Sequence, residues 1–90
     1  MAEDAGAAAG RTVTLLSRSG CHLCEEALEV VRRVCADTGA RVEVRDLDAA
    51  PQAERDDYWD KIPVTFVDGV QHDFWRVDER RLRAALADGG

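Results

Sequence analysis

The pattern of hydrophobic and polar positions in the first half of the chain predicts two strands with a helix between them. Residues 12–16, Thr-Val-Thr-Leu-Leu, form a short apolar run that is typical of a strand buried on both faces. Over residues 21–37 the apolar positions recur at steps of three and four, which predicts an amphipathic helix that ends at Gly39. Residues 41–45, Arg-Val-Glu-Val-Arg, alternate strictly and predict a strand at a sheet edge with one face in water.

The second half of the chain predicts a short helix, a hairpin and a final helix. The short helix covers residues 51–59 and begins with a proline, which suits the first turn of a helix. Residues 64–67 are typical of a strand, and residues 68–69, Asp-Gly, of a tight turn into an antiparallel strand over residues 70–77. Asp78 then supplies a capping side chain for the last helix.

The order of these elements limits the possible topologies. A strand, a helix and a second strand within about 35 residues form a right-handed unit with parallel strands, whereas a hairpin adds antiparallel strands. We therefore predict one α/β domain in the order β-α-β-α-β-β-α, with a mixed four-stranded sheet covered by helices. The domain covers residues 11–87, and the segments 1–10 and 88–90 are expected to be disordered tails.

Composition and charge exclude several classes of function. The chain has 90 residues with 12 Lys and Arg against 18 Asp and Glu, which gives a formal net charge of -6. A nucleic-acid partner would need a clustered basic surface, so we expect none. The apolar runs are far shorter than the ~20 residues that cross a bilayer, and the acidic start lacks the basic region of a signal peptide. We expect a cytoplasmic protein with no membrane partner.

A Cys-x-x-Cys pair at the start of the first helix is the sharpest chemical signal. Unpaired N–H groups and the helix dipole at that end stabilise a thiolate, and the second cysteine lies one turn along, near enough for a disulfide. These features predict Cys21 as the exposed nucleophile and Cys24 as the thiol that resolves a mixed disulfide. Arg18, and His22 when protonated, add positive charge to the same site.

Other roles for the cysteines fit the sequence less well. A structural zinc site usually needs four ligands, and beyond the pair the chain offers Cys35, His22 and His72 at unsuitable spacing, so we predict no metal site. A second alternative is that the pair is two inert thiols in the core. Gly20 and His22 argue against it, because both are unusual neighbours for buried packing. Cys35 lies on the helix stripe about 16 Å from Cys24, too far for a disulfide, and is interpreted as a small buried hydrophobic residue.

Four segments of the chain together carry a resemblance to a known family: residues 12–16, residues 20–24, Ile62-Pro63 and residues 68–69. They resemble the small glutaredoxin-like proteins of the thioredoxin superfamily, in the subgroup that has Cys-His-Leu-Cys. The resemblance implies the sheet order 2-1-3-4, with the first and last helices on one face and the middle helix on the other. It also implies a cis peptide bond between Ile62 and Pro63, which face the cysteine pair. The Ile62 backbone would bind an extended substrate, and Arg18 matches the family's basic residue before the first cysteine.

The sequence departs from the glutaredoxin pattern in two places. Glutaredoxins usually have a proline and an aromatic residue between the cysteines, where this chain has His22 and Leu23. Their Gly-Gly stretch after the fourth strand, which holds glutathione, is replaced here by residues 74–79, Phe-Trp-Arg-Val-Asp-Glu. Glycines permit the close backbone approach that the tripeptide needs, so we expect weak glutathione binding.

The resemblance implies a thiol–disulfide oxidoreductase that reduces disulfides of proteins or small molecules. We expect a monomer with no cofactor beyond the redox-active pair, re-reduced by a protein reductase or by a low-molecular-weight thiol. Two alternatives of other classes stay open at this point. One is a non-catalytic module in which Cys21 and Cys24 bind a metal or an iron–sulfur cluster, and the other is an adaptor whose thiols only sense redox state.

Overall fold

A computed structural model describes residues 8–88 of the chain. Its elements are β1 (Thr12–Ser17), α1 (His22–Thr38), β2 (Arg41–Asp46), α2 (Gln52–Tyr58), β3 (Val64–Val67), β4 (Val70–Phe74) and α3 (Glu79–Asp88). A short 3-10 turn, Leu47–Ala49, lies between β2 and α2. The order confirms the predicted β-α-β-α-β-β-α arrangement. Within this described range, no helix is both long enough and apolar enough to cross a membrane.

The strands form one mixed sheet in the order β2-β1-β3-β4. β1 and β2 run parallel, whereas β3 is antiparallel to both β1 and β4. The β3–β4 turn has positive φ at both central residues, 50° at Asp68 and 84° at Gly69, as a type I′ hairpin turn requires. The sheet and its three helices have the thioredoxin-like fold, which the resemblance implies.

Two apolar clusters cover opposite faces of the sheet. The first packs α1 and α3 against β1 and β3, and its buried members include Val13, Val31, Val34, Cys35, Val67, Leu82 and Leu86. The second lies beside α2, and its buried members are Leu16, Cys24, Leu47, Ala50, Ile62 and Val64. Because successive side chains of a strand point to opposite faces, β3 contributes Val67 to one cluster and Val64 to the other. The first turn of α1 reaches the second cluster through Cys24.

β2 lies at the sheet edge, as predicted, but its side chains are less buried than the alternating pattern suggests. All six residues are exposed, including Val42 at 37% and Val44 at 47%. The prediction of one buried face is therefore wrong. The physical reason is that β2 has a neighbouring strand on one side only and that neither apolar cluster extends to its valines.

The last strand is shorter than the sequence suggests. β4 ends at Phe74 because Trp75 has φ of 69°, a left-handed conformation that a strand cannot continue. Asp78 caps α3 as predicted, since its Oδ1 accepts a hydrogen bond from the Arg81 N–H at 3.2 Å. α3 extends to Asp88, the first residue of the predicted C-terminal tail, and residues 89–90 lie outside the described part of the chain.

Three residues that the sequence assigns to the N-terminal tail are part of the folded structure. Residues 8–10 form a turn. Ala8 is fully buried in the first cluster, and its N–H donates to the Thr38 carbonyl at 2.8 Å. A single buried alanine creates no periodic pattern, which explains why the sequence does not predict this contact. Residues 1–7 of the predicted tail lie outside the described residues.

Arg11 connects the hairpin turn with the end of α3. Its Nε donates to Asp68 Oδ2 at 2.7 Å, and its Nη1 donates to the carbonyls of Ala85 and Leu86 at 3.2 and 2.9 Å. These carbonyls lie in the last turns of the helix, where backbone acceptors lack helical partners. Asp68 also accepts the Thr12 N–H at 2.9 Å. The Thr12 hydrogen bond, together with the Arg11 guanidinium, lowers the pKa of Asp68.

Replacing Asp68 with Asn should make the stability less sensitive to acid. Because the folded-state pKa is lowered below the ordinary value of about 4, the carboxylate stabilises the fold above that value. This stabilisation is lost as the pH falls through the folded-state pKa. In urea titrations, Asp68→Asn should be less stable than the wild type at neutral pH, and the two should converge in acid. If the stability difference between Asp68→Asn and the wild type did not change with pH, the proposed role of the Asp68 charge would be wrong.

Candidate active site

The cysteine pair lies where the chain passes from β1 into α1. Gly20 has φ of 70°, a conformation that glycine adopts without a steric penalty, and it leads directly into the helix. Cys21 is the N-cap residue of α1, and its Sγ accepts a hydrogen bond from the Cys24 N–H at 3.1 Å. A disulfide joins the two side chains, and their Cα atoms are 5.2 Å apart. The predicted strand–turn–helix setting is confirmed.

The two cysteines differ in their access to solvent. Cys24 is only 5% exposed and belongs to the second apolar cluster, where Leu16 and Ile62 are also buried. Cys21 is half-buried and packs at the border of that cluster. An incoming reagent can therefore reach Cys21 more easily than Cys24.

The structure places Ile62 in the apolar cluster that contains Cys24. Ile62 shares the second cluster with Cys24, and Cys21 packs against the same cluster. The Ile62–Pro63 peptide bond is cis, as the resemblance implies. Among residues 8–88, no hydrogen bond uses either the N–H or the C=O of Ile62. One backbone position next to the cysteines thus has an unpaired donor and an unpaired acceptor.

Arg18 contacts the ring of Trp59 and also lines the pocket that contains the cysteine pair. Its guanidinium carbon lies 4.5 Å from the centre of the Trp59 ring, a cation–π contact. Arg18 lines the same shallow pocket as Cys21 and Cys24. His22, the first residue of α1, is exposed and is not part of the lining of that pocket.

A second groove lies next to the pair, between α1 and the segment after β4. It is lined by Leu23, Glu26, Ala27, Val30, Trp75, Arg76 and Val77. Leu23 lies between the two cysteines in the sequence. It is 41% exposed, and because it lines the groove it connects the groove with the cysteine site. The segment in this groove is the one that departs from the Gly-Gly pattern of glutaredoxins.

Two tryptophans lie where the sequence pattern did not predict them. The sequence places Trp59 at the end of the short helix and Trp75 within the last strand, whereas each is 54% exposed and lies outside any strand. Trp59 stacks on Arg18, and Trp75 lines the groove next to Leu23. No local sequence pattern indicated either position, because both contacts join residues from separate elements.

The third cysteine has a different environment. Cys35 is 3% exposed within the first apolar cluster, so the interpretation of it as a buried hydrophobic residue is confirmed. Burial raises the pKa of its thiol, which disfavours the reactive thiolate. Over the range 8–88, His, Cys, Asp and Glu side chains form no group of three or more that could hold a metal ion.

Comparison with known proteins places this arrangement in a family. Residues 12–87 match the family model described as glutaredoxin-like domain (DUF836). Uncharacterized proteins of Mycobacterium bovis and Mycobacterium tuberculosis are each 35% identical over 79 residues, which cover 83% of this chain and 81% of each relative.

Solved structures show the same fold. A Nitrosomonas europaea protein studied by NMR has a TM-score of 0.72 and 26% identity, covering 83% of this chain and 89% of its own. An X. campestris protein studied by X-ray diffraction has a TM-score of 0.70 and 28% identity, covering 87% and 99%. A mutant thioredoxin from Halobacterium salinarum, at 24% identity and a TM-score of 0.62, covers 97% and 80% and supports the fold alone.

A glutaredoxin-like thioredoxin fold with two cysteines close together supports a redox-type function. The family model covers nearly the whole described part of the chain, and the cysteine pair lies inside the matched region. The chain therefore belongs to the glutaredoxin-like domain family of the thioredoxin superfamily.

Proposed function

We propose that the chain is a thiol–disulfide oxidoreductase that reduces disulfides in proteins or small molecules. The observation that carries this proposal is the pairing of the half-buried Cys21, at the N-terminus of α1, with the buried Cys24. Exchange in two steps needs one accessible sulfur that attacks and one shielded sulfur that completes the reaction. The environments of the two cysteines meet that requirement.

The reaction starts from the reduced protein. The Cys21 thiolate attacks one substrate sulfur, the substrate S–S bond breaks, and the departing sulfur takes a proton from solvent. Cys24 then gives its proton to solvent and attacks the Cys21 sulfur. The mixed disulfide breaks, the second substrate thiol leaves with a proton, and the Cys21–Cys24 disulfide forms. Two electrons pass to the substrate, so a protein reductase or a low-molecular-weight thiol must reduce the pair again.

Four further residues are proposed to bind the substrate. The free N–H and C=O of Ile62 would pair with an extended segment that carries the disulfide, and Pro63 would hold that backbone in place. Arg18, which lines the same pocket as the two cysteines, would stabilise negative charge on attacking and departing thiolates. His22 is exposed at the helix start and would add charge there when protonated.

We expect the pKa of Cys21 in the reduced protein to lie well below the value of about 8.5 for a free cysteine. The helix terminus, the Cys24 N–H and the Arg18 guanidinium all favour the thiolate. The ultraviolet absorbance of the thiolate, followed against pH in a Cys35→Ala background, measures this value. Arg18→Gln should raise this pKa, because it removes a positive charge from the pocket that contains Cys21. A Cys21 that titrates like free cysteine, while Cys24 reacts first, would contradict the assignment.

The electron donor is expected to be a protein reductase or a thiol other than glutathione. Phe74, Trp75 and Arg76 stand where glutaredoxins have glycines, and the Trp75 ring is in the groove beside the site. We expect glutathione-dependent turnover at least about tenfold below that of ordinary glutaredoxins, which corresponds to a loss of about 1.4 kcal/mol. Coupled assays with glutathione plus its reductase, and with thioredoxin reductase, test this. Efficient, saturable turnover with glutathione alone would contradict the expectation.

An absorption spectrum provides the control for the metal-binding alternative. The protein is purified without oxygen and its visible spectrum is recorded before any disulfide assay. A dithiol is colourless, so the oxidoreductase proposal predicts no visible band. A brown protein with bound iron and sulfide would instead support a cluster ligated by Cys21 and Cys24.

A further inference from the structure

Trp75 makes three hydrogen bonds to the loop that contains Ile62. Its backbone N–H donates to the Pro63 carbonyl at 2.7 Å and to the Lys61 carbonyl at 3.2 Å. Its indole Nε1–H donates to the Asp60 carbonyl at 2.8 Å. Within the described chain, the Ile62 carbonyl has no partner. One residue thus engages the carbonyls on both sides of Ile62 and leaves that of Ile62 unpaired.

The backbone of Trp75 adopts an unfavourable conformation in order to make these bonds. Its φ is 69°, and the Arg76 N–H donates to the Phe74 carbonyl at 3.0 Å, which closes a γ-turn around Trp75. The form of γ-turn with positive φ is rare and strained. Such strain persists only where surrounding contacts hold it, and it occurs preferentially at functional sites. The three hydrogen bonds and the edge contact with the Phe74 ring, 4.8 Å between centroids, are those contacts.

The position of the ring relates this turn to the cysteines. Trp75 lines the same groove as Leu23, the residue directly before Cys24. It remains 54% exposed, so core packing alone does not account for a tryptophan here. The strained turn, its hydrogen bonds and the exposed ring therefore all lie next to the site of disulfide exchange.

We propose that Trp75 is a positioning residue for polypeptide substrates. It holds the loop so that the N–H and C=O of Ile62 stay free beside Cys21 and pair with the backbone of a polypeptide that carries the disulfide. A small disulfide has no such backbone and needs only the Cys21 sulfur. The inference rests on the proposed oxidoreductase function and adds to it a preference for polypeptide disulfides, with Trp75 as its basis.

The test compares two substrates and three variants in single turnovers. Pre-reduced protein is mixed with excess insulin or hydroxyethyl disulfide, quenched with acid, and its remaining thiols are counted after alkylation. Trp75→Phe removes the indole N–H and keeps a ring, whereas Trp75→Gly removes the ring and relieves the strain of positive φ. Val70→Ala, at the other end of β4 and 70% exposed in the wild type, is the matched control.

We expect Trp75→Phe to raise the half-saturating insulin concentration by about five- to tenfold, the factor that corresponds to one lost hydrogen bond. Its rate with hydroxyethyl disulfide should equal that of the wild type. Trp75→Gly should raise the half-saturating insulin concentration by a smaller factor. Both variants lose the indole hydrogen bond, but glycine adopts the positive φ without strain and so keeps the two backbone hydrogen bonds more readily than phenylalanine. Val70→Ala should behave as the wild type with both substrates. Thermal unfolding of each variant confirms that it is folded.

Two patterns would overturn the positioning role. If Trp75→Gly were the worst variant with insulin and Trp75→Phe matched the wild type, the ring would act only as a contact surface. If every Trp75 variant lost activity equally on both disulfides, the residue would only support the structure. A wild-type protein that reduces neither disulfide would instead show that the proposed function itself fails.

Discussion

Replacing Cys21 with Ser is expected to lower disulfide reduction to the uncatalysed rate. The substitution removes the more accessible sulfur of the pair, and a serine hydroxyl does not ionise at neutral pH to replace the thiolate. Cys24→Ser should behave differently, because Cys21 can still attack but nothing resolves the product. The mixed disulfide should therefore accumulate. Insulin reduction rates and the intact mass of the trapped adduct measure the two effects.

The third cysteine supplies the control for this experiment. Cys35→Ala changes a thiol that is 3% exposed on the opposite side of the sheet from the Cys24 cluster, so its activity should stay near that of the wild type. Peptide mapping should locate the adduct of Cys24→Ser on Cys21. A Cys35 variant as inactive as Cys21→Ser, or an adduct on Cys35, would refute the assignment of the nucleophile.

Leu82→Ala is expected to lower the free energy of unfolding by about 2–5 kcal/mol, the usual cost of a cavity at a fully buried leucine. Leu82 is 0% exposed and lies in the cluster that packs α3 against α1 and the sheet. A loss of that size is a large part of the total stability of about 5–15 kcal/mol that is typical of a small domain. Urea titration monitored by circular dichroism measures it.

The matched control for the core variant is an exposed aliphatic residue. Val70 is 70% exposed, so Val70→Ala should change the free energy of unfolding by less than about 0.5 kcal/mol. Because Cys24 belongs to the other cluster, the folded fraction of Leu82→Ala should keep the Cys21 reactivity of the wild type. Equal stability losses for Leu82→Ala and Val70→Ala would contradict the assigned core.

Most of the fold was predictable because its elements carry local patterns. The three- and four-residue steps over residues 21–37 predicted α1, which the structure places at His22–Thr38. The apolar run of 64–67 coincides with β3, and the Asp68-Gly69 pair forms the predicted turn. The burial of side chains on the edge strand β2 was less predictable. The alternating pattern correctly indicated a strand, but the exposure of Val44 depends on where the two apolar clusters end, which the pattern does not show.

The cysteine pair was the part of the site that the sequence indicated directly. Cys21 and Cys24 are one helical turn apart, so a helix that begins at this point brings their side chains together without help from the rest of the fold. Ile62 and Pro63 were assigned to the site through the family resemblance, since nothing local connects residues so far from Cys21 in the chain. The packing of Ile62 with Cys24 agrees with that placement.

The sequence by itself determined the elements, their order and the position of the dithiol, because each depends on residues within a few turns or strand steps of one another. Only the tertiary structure decided which groups surround that dithiol. The stacking of Arg18 on Trp59 and the three hydrogen bonds of Trp75 join residues that are distant along the chain. Such contacts form only when the sheet and helices bring loops together, so the pattern of hydrophobic and polar positions along the chain does not predict them. The positive φ of Trp75 also depends on the tertiary structure. A tryptophan disfavours this conformation, and contacts with residues distant in the chain hold it.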